Sequence, residues 1–238
     1  MLSYSRRGSI GVITLKNPPH NALRSPAFAD KSELEGFLAS NDLSGVIVIG
    51  DGQHFCGGAD LAQLELQSKD RAQLQRDLEK GKALVDLLRF ATIPIVAAIR
   101  GQCLGAGLEI ALACHLRVCS QGAMLGFPET TLGLLPGLGG TVAMAEPRMR
   151  GAIELIVSGK LVDAEEALAL GLVDRLVDAP KIEPAAEQLL EVLVGGKPAA
   201  LVRSVMEAIQ NGRRLPRDEA LRRETALFCS LAGARHGR

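Results

Sequence analysis

IPIVAAIRGQCLGAGLEIALAC, running from Ile93 to Cys114, places two kinds of apolar segment back to back. Ile93–Ile99 is a short continuous apolar run introduced by Pro94, the pattern of a strand buried on both faces. Small residues at Gly105, Ala106 and Gly107 then open a segment, Gly105–Leu116, that is apolar nearly all round and predicts a helix deep in the protein. A buried strand feeding a buried helix is the unit of an α/β architecture.

The flanking sequence repeats that alternation. Ser9–Lys16 (SIGVITLK) predicts a strand ending at Asn17-Pro18-Pro19, and Gly45–Gly50 (GVIVIG) a second buried one. Ser25–Ser40 carries helical spacing at Phe28, Leu34, Phe37 and Leu38. Gln67–Phe90 predicts a long amphipathic helix with Leu74, Leu78, Val85 and Leu88 on its apolar stripe. Downstream come short strands near Leu116–Ser120 and Ala123–Gly126, helices at Thr141–Ser158 and Ala164–Leu170, and a last strand at Leu172–Val177. From Pro180 onward only helices are expected: Ala185–Leu193, Pro198–Asn211 and Pro216–Leu231. The chain thus divides into a strand-containing core, 1–180, and a helical region, 181–238.

Composition removes several functions. The 238 residues are 47 % hydrophobic and 23 % charged, enough to bury a core, and disorder is not expected. Lysine plus arginine balances aspartate plus glutamate at 27 each, so the basic surplus of a nucleic-acid binder is missing. Aromatic residues make up only 3 %, which leaves little for base stacking. Apolar runs such as Ile93–Ile99 and Leu108–Cys114 fall short of the ~20 residues of a membrane span, and MLSYSRRGSIG has no secretory h-region. Cys56, Cys103, Cys114, Cys119 and Cys229 form no metal-spaced pattern, so reduced cytoplasmic thiols and no metal are expected.

Ionisable residues in apolar surroundings mark candidate chemistry. Glu109 interrupts the apolar helix with no basic residue within one turn. Buried and unpartnered, it would have a raised pKa and could exchange a proton; near a helix N-terminus it could equally be favoured by the dipole and reach solvent. Glu129, in Gly126-Phe-Pro-Glu-Thr-Thr131, is either an acid/base group or a cap. Two small-residue turns, Leu104-Gly-Ala-Gly107 and Phe55-Cys-Gly-Gly-Ala-Asp60, could offer backbone N–H groups to a negative oxygen. His20 and His54 lie in loops, His115 ends the buried helix and His236 lies near the end of the chain; no metal-binding spacing or nucleophile elbow accompanies them.

Arg100-Gly-Gln-Cys-Leu-Gly-Ala-Gly-Leu-Glu-Ile-Ala-Leu-Ala-Cys114, Phe55-Cys-Gly-Gly-Ala-Asp-Leu61 and Phe127-Pro-Glu-Thr-Thr-Leu-Gly-Leu-Leu-Pro-Gly-Leu-Gly-Gly-Thr141, in this chain order, resemble the enoyl-CoA hydratase/isomerase (crotonase) superfamily. Asn17-Pro-Pro-His-Asn-Ala-Leu23 and Ser158-Gly-Lys, with Ala164, Ala167 and Gly171-Leu-Val-Asp174, match its flanking landmarks. The resemblance implies a spiral of ββα units followed by C-terminal helices that build trimers or hexamers. It implies an acyl-CoA thioester substrate and no separate cofactor, coenzyme A being part of the substrate.

Carried over residue by residue, the N–H groups of Ala59 and Ala106 would form an oxyanion hole, and Glu109 and Glu129 would be the catalytic carboxylates of a hydratase. His20, Ala22, Cys56, Gly58, Asp60, Leu61, Gly105, Pro128, Leu138 and Gly139 would contact substrate or its CoA. Residues Leu66–Leu88 would shape the acyl pocket. The alternatives are an isomerase using Glu129 alone, a hydratase of cyclic dienoyl-CoA, or a non-catalytic acyl-CoA-binding scaffold. Three departures stand out: His115 replaces a frequent aspartate, Ala62 replaces a lysine of some hydratases, and Leu231–Arg238 lies where the family usually adds a final helix over the pocket.

Overall fold

The computed structural model describes residues 2–146 and 149–236. Pro147 and Arg148, inside the expected helix Thr141–Ser158, lie outside the described residues, as do Met1, Gly237, Arg238 and the side chains of Ala234, Arg235 and His236.

Strand β1 (Leu2–Arg7) runs antiparallel to β2 (Ile10–Leu15). Helix α1 (Lys31–Ala39) then crosses to β3 (Gly45–Gly50), and α2 (Leu61–Gln67) and α3 (Arg71–Arg89) cross to β4 (Ile95–Ile99), both strands parallel to β2. The short β5 (Gln102–Leu104) leads into α4 (Ala106–Ala113), followed by β6 (Leu116–Ser120) and β7 (Met124–Gly126). A 3-10 turn at Pro128–Leu132, α5 (Gly140–Met144) and α6 (Ala152–Ser158) precede β8 (Leu161–Asp163), α7 (Ala164–Leu170) and β9 (Arg175–Val177). Three helices close the chain: α8 (Ile182–Val194), α9 (Ala199–Arg214) and α10 (Arg217–His236).

The large sheet has the order β1-β2-β3-β4-β6-β9 and a smaller one the order β5-β7-β8. Successive turns of chain add a strand to the large sheet, a short strand to the small one, then a helix; β4-β5-α4 is such a turn. This is the expected α/β spiral.

Alternation explains why the central strands read as unbroken apolar runs. Val12, Ile47 and Val96 stand in register and meet Ile182, Ala186, Leu189 and Leu190 of α8 on one face. Their neighbours Ile13, Val48 and Ala97 point the other way, into the main core with α3 and α4. Both faces are covered, so charged side chains have no place on these strands.

Arg117 of β6 is the exception. Its guanidinium is fully buried, donating from Nη1 to the Cys114 carbonyl (2.8 Å) and from Nη2 to Asp174 Oδ2 (2.9 Å), which also accepts the Arg117 N–H. Losing one partner of such a pair generally costs ~3–5 kcal/mol, so the link fixes the exit of α4 firmly. His115 sits beside it as an acceptor: Nδ1 takes the Ile95 N–H (2.9 Å), and burial pushes its pKa down to about 4. It joins the ends of α3, α4 and α9 through Arg89 and Gln210.

Several element boundaries differ from expectation. The helix expected from Ser25 begins at Lys31, capped by Asp30, whose Oδ1 accepts the Glu33 N–H. The long helix expected over Gln67–Phe90 begins only at Arg71, because Asp70 caps α3 by accepting from Gln73, and Gln67 instead ends the separate helix α2. The Thr141–Ser158 segment also divides, and Gly151 opens α6 in a left-handed conformation (φ 66°). The strand expected over Leu172–Val177 contracts to β9. Strands β1, β5 and β8 were not expected.

Candidate active site

Three segments distant in sequence meet at the ends of β3, β5 and β7. The first is the loop after β3. Leu23 and Ala59 form an isolated parallel bridge in which Leu23 N–H donates to the Gly58 carbonyl (2.7 Å) and Asp60 N–H donates to the Leu23 carbonyl (2.8 Å). In such a bridge the flanking residues make the bonds, so Ala59's own N–H is turned away from that partner. Asp60 then caps α2 through the Gln63 N–H (3.1 Å).

The second segment is the start of α4. Ala106 is its first residue, and the first N–H groups of a helix have no partner within it. Gly105 before it has φ 50°, ψ −122°, a conformation open to glycine and strained for other residues. A side chain there would also press on the Glu129 carboxylate, its Cβ coming within 2.6 Å of Oε1. Gly107 is required for close approach instead: a Cβ would drive into the Cys56 carbonyl and Cβ, separating the two loops.

The third segment is the glycine-rich loop Pro136–Gly140. It supplies what the neighbouring sequence of Glu109 lacks. Glu109 is buried, yet its Oε1 accepts the N–H groups of Leu138 (2.7 Å) and Gly140 (2.6 Å). It is therefore not unpartnered, but both bonds fall on one oxygen and neither partner carries a full charge. Burial outweighs them and pushes its pKa up to about 7, with Glu129 adding to the rise and Lys82 opposing it. Glu129, carried on the 3-10 turn, is raised by burial as well, and its Oε2 has no hydrogen-bond partner.

Ala59, Ala106, Glu109, Glu129 and Leu138 line one cavity of about 160 Å³. Its remaining walls are Leu23, Pro26, Leu64, Leu74, Leu78, Leu134, Leu135 and Gly137. Leu74 and Leu78 belong to the apolar stripe legible in the sequence; Leu64 comes from the short helix α2, and the remaining wall residues come from loops and carry no periodic signal.

The remaining candidate residues sit around this cavity in other roles. Cys56 is buried behind the loop and its thiol donates to the Asn21 carbonyl. Gly58 and Asp60 make the bridge, and the Ala22 carbonyl accepts from Asn17 Nδ2 (2.7 Å). Leu61 is exposed at the start of α2, Pro128 opens the turn that carries Glu129, and Gly139 lines an adjacent cleft. His20 stacks on His54 (ring centroids 4.9 Å apart) and its Nδ1 lies 3.1 Å from Gln102 Oε1. Burial and that neighbouring imidazole hold His54 below the usual histidine range. Among the described residues no cluster could hold a metal ion, and no helix is long and apolar enough to cross a membrane.

Two carboxylates of raised proton affinity, lining an aliphatic cavity with Ala59 and Ala106, can move protons next to a carbonyl whose oxygen gains negative charge. The profile of the family described as enoyl-CoA hydratase/isomerase matches residues 5–237, and the chain belongs to that family. It is 39 % identical over 194 residues to a peroxisomal bifunctional enzyme of Danio rerio, a match covering 80 % of this chain and 25 % of that protein. The chain thus spans a quarter of the length of that larger relative. It is 34 % identical over 225 residues to a Bacillus subtilis (strain 168) protein described as a probable enoyl-CoA hydratase, covering 92 % and 85 % of the two. A Thermobifida fusca YX protein solved in complex with CoA superposes with a TM-score of 0.84 at 27 % identity, over 100 % of this chain and 95 % of that one.

Proposed function

We propose that this chain adds water across the α,β double bond of an enoyl-CoA. The observation that carries the proposal is the meeting of Glu109, Glu129 and the Ala59 and Ala106 backbones around one cavity with otherwise apolar walls. The thioester oxygen would accept the two N–H groups, which stabilise the charge that develops there as Cβ is attacked. One carboxylate, ionised, takes a proton from water as the oxygen bonds to Cβ. The other, protonated, delivers a proton to Cα, so the pair exchanges its protonation states and the sum is water plus alkene. The step is redox-neutral and calls on no group beyond the substrate's own CoA. The CoA held by the structural relative supports that substrate class.

A second reading rests on the unpartnered Oε2 of Glu129. Alone, that carboxylate could take a proton from one carbon and return it to another, which is double-bond isomerisation. Loss of the conjugated-thioester absorbance of crotonyl-CoA on incubation, with 3-hydroxybutanoyl-CoA as product, tests the first reading. Conversion of 3-enoyl-CoA with no hydration would replace it by the second.

The helices from residue 181 and the exposed Ile153, Val157 and Phe228 support contact between copies of the chain, which we read as a trimer or hexamer. Free cysteines, four of them buried, support a reducing, cytoplasmic setting.

The pH dependence follows from the paired acids, which titrate as a unit. The active form carries one proton between them. Glu109 near 7 and a less strongly shifted Glu129 predict a bell-shaped kcat/KM for crotonyl-CoA. The alkaline limb lies near neutrality, where the last proton leaves, and the acid limb below it, where a second one binds. A profile flat between about pH 5 and 9 would contradict a proton-sharing pair.

A further inference from the structure

The reacting cavity has a larger neighbour, a cleft of about 630 Å³ bordered by Val85, Phe90 and Val142 with Lys82, Arg89 and Arg213 at its charged rim. Among the described residues a single side chain, Leu138, borders both hollows. It is buried, and it is held at both ends. Its N–H is bonded to Glu109, and its Cδ2 lies so close to α3 that a Cβ on Gly81 would come within 2.7 Å of it. A close-packed wall of this kind does not swing aside without disturbing its neighbours.

The two hollows also differ in chemistry. Apart from its two acids, the reacting cavity presents leucine, proline, alanine and glycine, and no cation. The cleft beyond carries Lys82, Arg89 and Arg213 together with Asp86 and Glu146, with Arg89 and Glu146 paired at 3.3 Å. An acyl group ending in a carboxylate would sit unpaired beside Glu109 and Glu129, whereas an alkyl chain is matched by the walls.

We infer that Leu138 is the stop for the acyl chain: it closes a short aliphatic pocket and restricts turnover to short, uncharged enoyl groups. Cutting it back would join pocket and cleft and admit longer chains. The inference deepens the hydratase reading and rests on it for the identity of the substrate.

The test is kcat/KM along the 2-enoyl-CoA series from butenoyl to dodecenoyl, for the wild type, Leu138→Ala and Leu138→Ala/Val142→Phe. Beyond the stop, each added methylene should cost the wild type ~10–200-fold, the range in which an apolar pocket discriminates one methylene. Leu138→Ala should raise the dodecenoyl-to-butenoyl ratio by at least ~10-fold. Phenylalanine at Val142, which lines only the cleft, should remove that gain. Leu138→Val is measured in parallel, since truncating a buried leucine fully can unfold a protein. Equal wild-type rates along the series, or an unshifted profile in both truncations, overturn the inference. Should the wild type hydrate no member, the hydratase reading fails by itself, and calorimetric binding of saturated acyl-CoA from butanoyl to dodecanoyl reads the stop independently. Affinity that falls past one length in the wild type but not in the truncations upholds it; identical length dependence overturns it.

Discussion

Glu109→Gln and Glu129→Gln are each expected to lower kcat for crotonyl-CoA hydration by at least ~10²-fold, the size of a general acid/base contribution. The amide is the informative change at Glu109. Its carbonyl oxygen can still accept the Leu138 and Gly140 N–H groups that Oε1 accepts now, so the loop keeps its anchor while the proton is lost. An alanine would remove both and confuse the two effects. At Glu129 the amide fills the same space against Gly105. Loss in both variants establishes a working pair. Loss of 3-enoyl-CoA isomerisation in Glu129→Gln alone, with Glu109→Gln active, assigns the chemistry to one carboxylate. Full hydration in either variant would remove that residue from the mechanism.

Ala106→Pro is expected to cost ~10²–10³-fold in kcat, the effect of deleting one oxyanion donor. Proline is tolerated at the first position of a helix, where its missing N–H had no intrahelical partner and its fixed φ already suits the turn. The substitution therefore removes the donor and spares α4, which circular dichroism and the thermal midpoint should verify. Ala106→Ser, which adds an atom but keeps the N–H, should remain close to wild type. Equal losses in both variants would point to crowding of the pocket rather than to the donor.

How much of this was legible beforehand depended on how local each determinant is. The central strands announce themselves because two covered faces leave only apolar residues, as in Gly45–Gly50. Both glutamates stood out as charges in apolar or glycine-rich surroundings. The edge strand β1, by contrast, has one face on solvent and reads Leu-Ser-Tyr-Ser-Arg-Arg, with only Leu2 and Tyr4 packed inward, the latter against Phe37. Strands β5 and β8 are three residues long and exist only through their partners. The break before α3 did have a local sign: Asp70-Arg-Ala-Gln73 places a capping aspartate three residues before a glutamine, as Asp60 and Gln63 do for α2. The hydrogen bonds that hold Glu109 had none. They come from backbone groups of Leu138 and Gly140, and no side-chain pattern records where a backbone N–H will point.

The burial of Glu109 also adds a pH-dependent contribution to the stability of the fold. A carboxyl whose pKa rises from 4.5 unfolded to about 7 folded binds its proton more tightly in the native state. Its contribution is therefore favourable at acid pH and is lost as the pH climbs from 4.5 through about 7, a drain on the order of 3 kcal/mol. Urea unfolding of the wild type and Glu109→Gln should show it directly. The variant's relative stability should rise between about pH 5 and 8 by that amount, and parallel curves would show that the folded protein holds this proton no more tightly than the open chain.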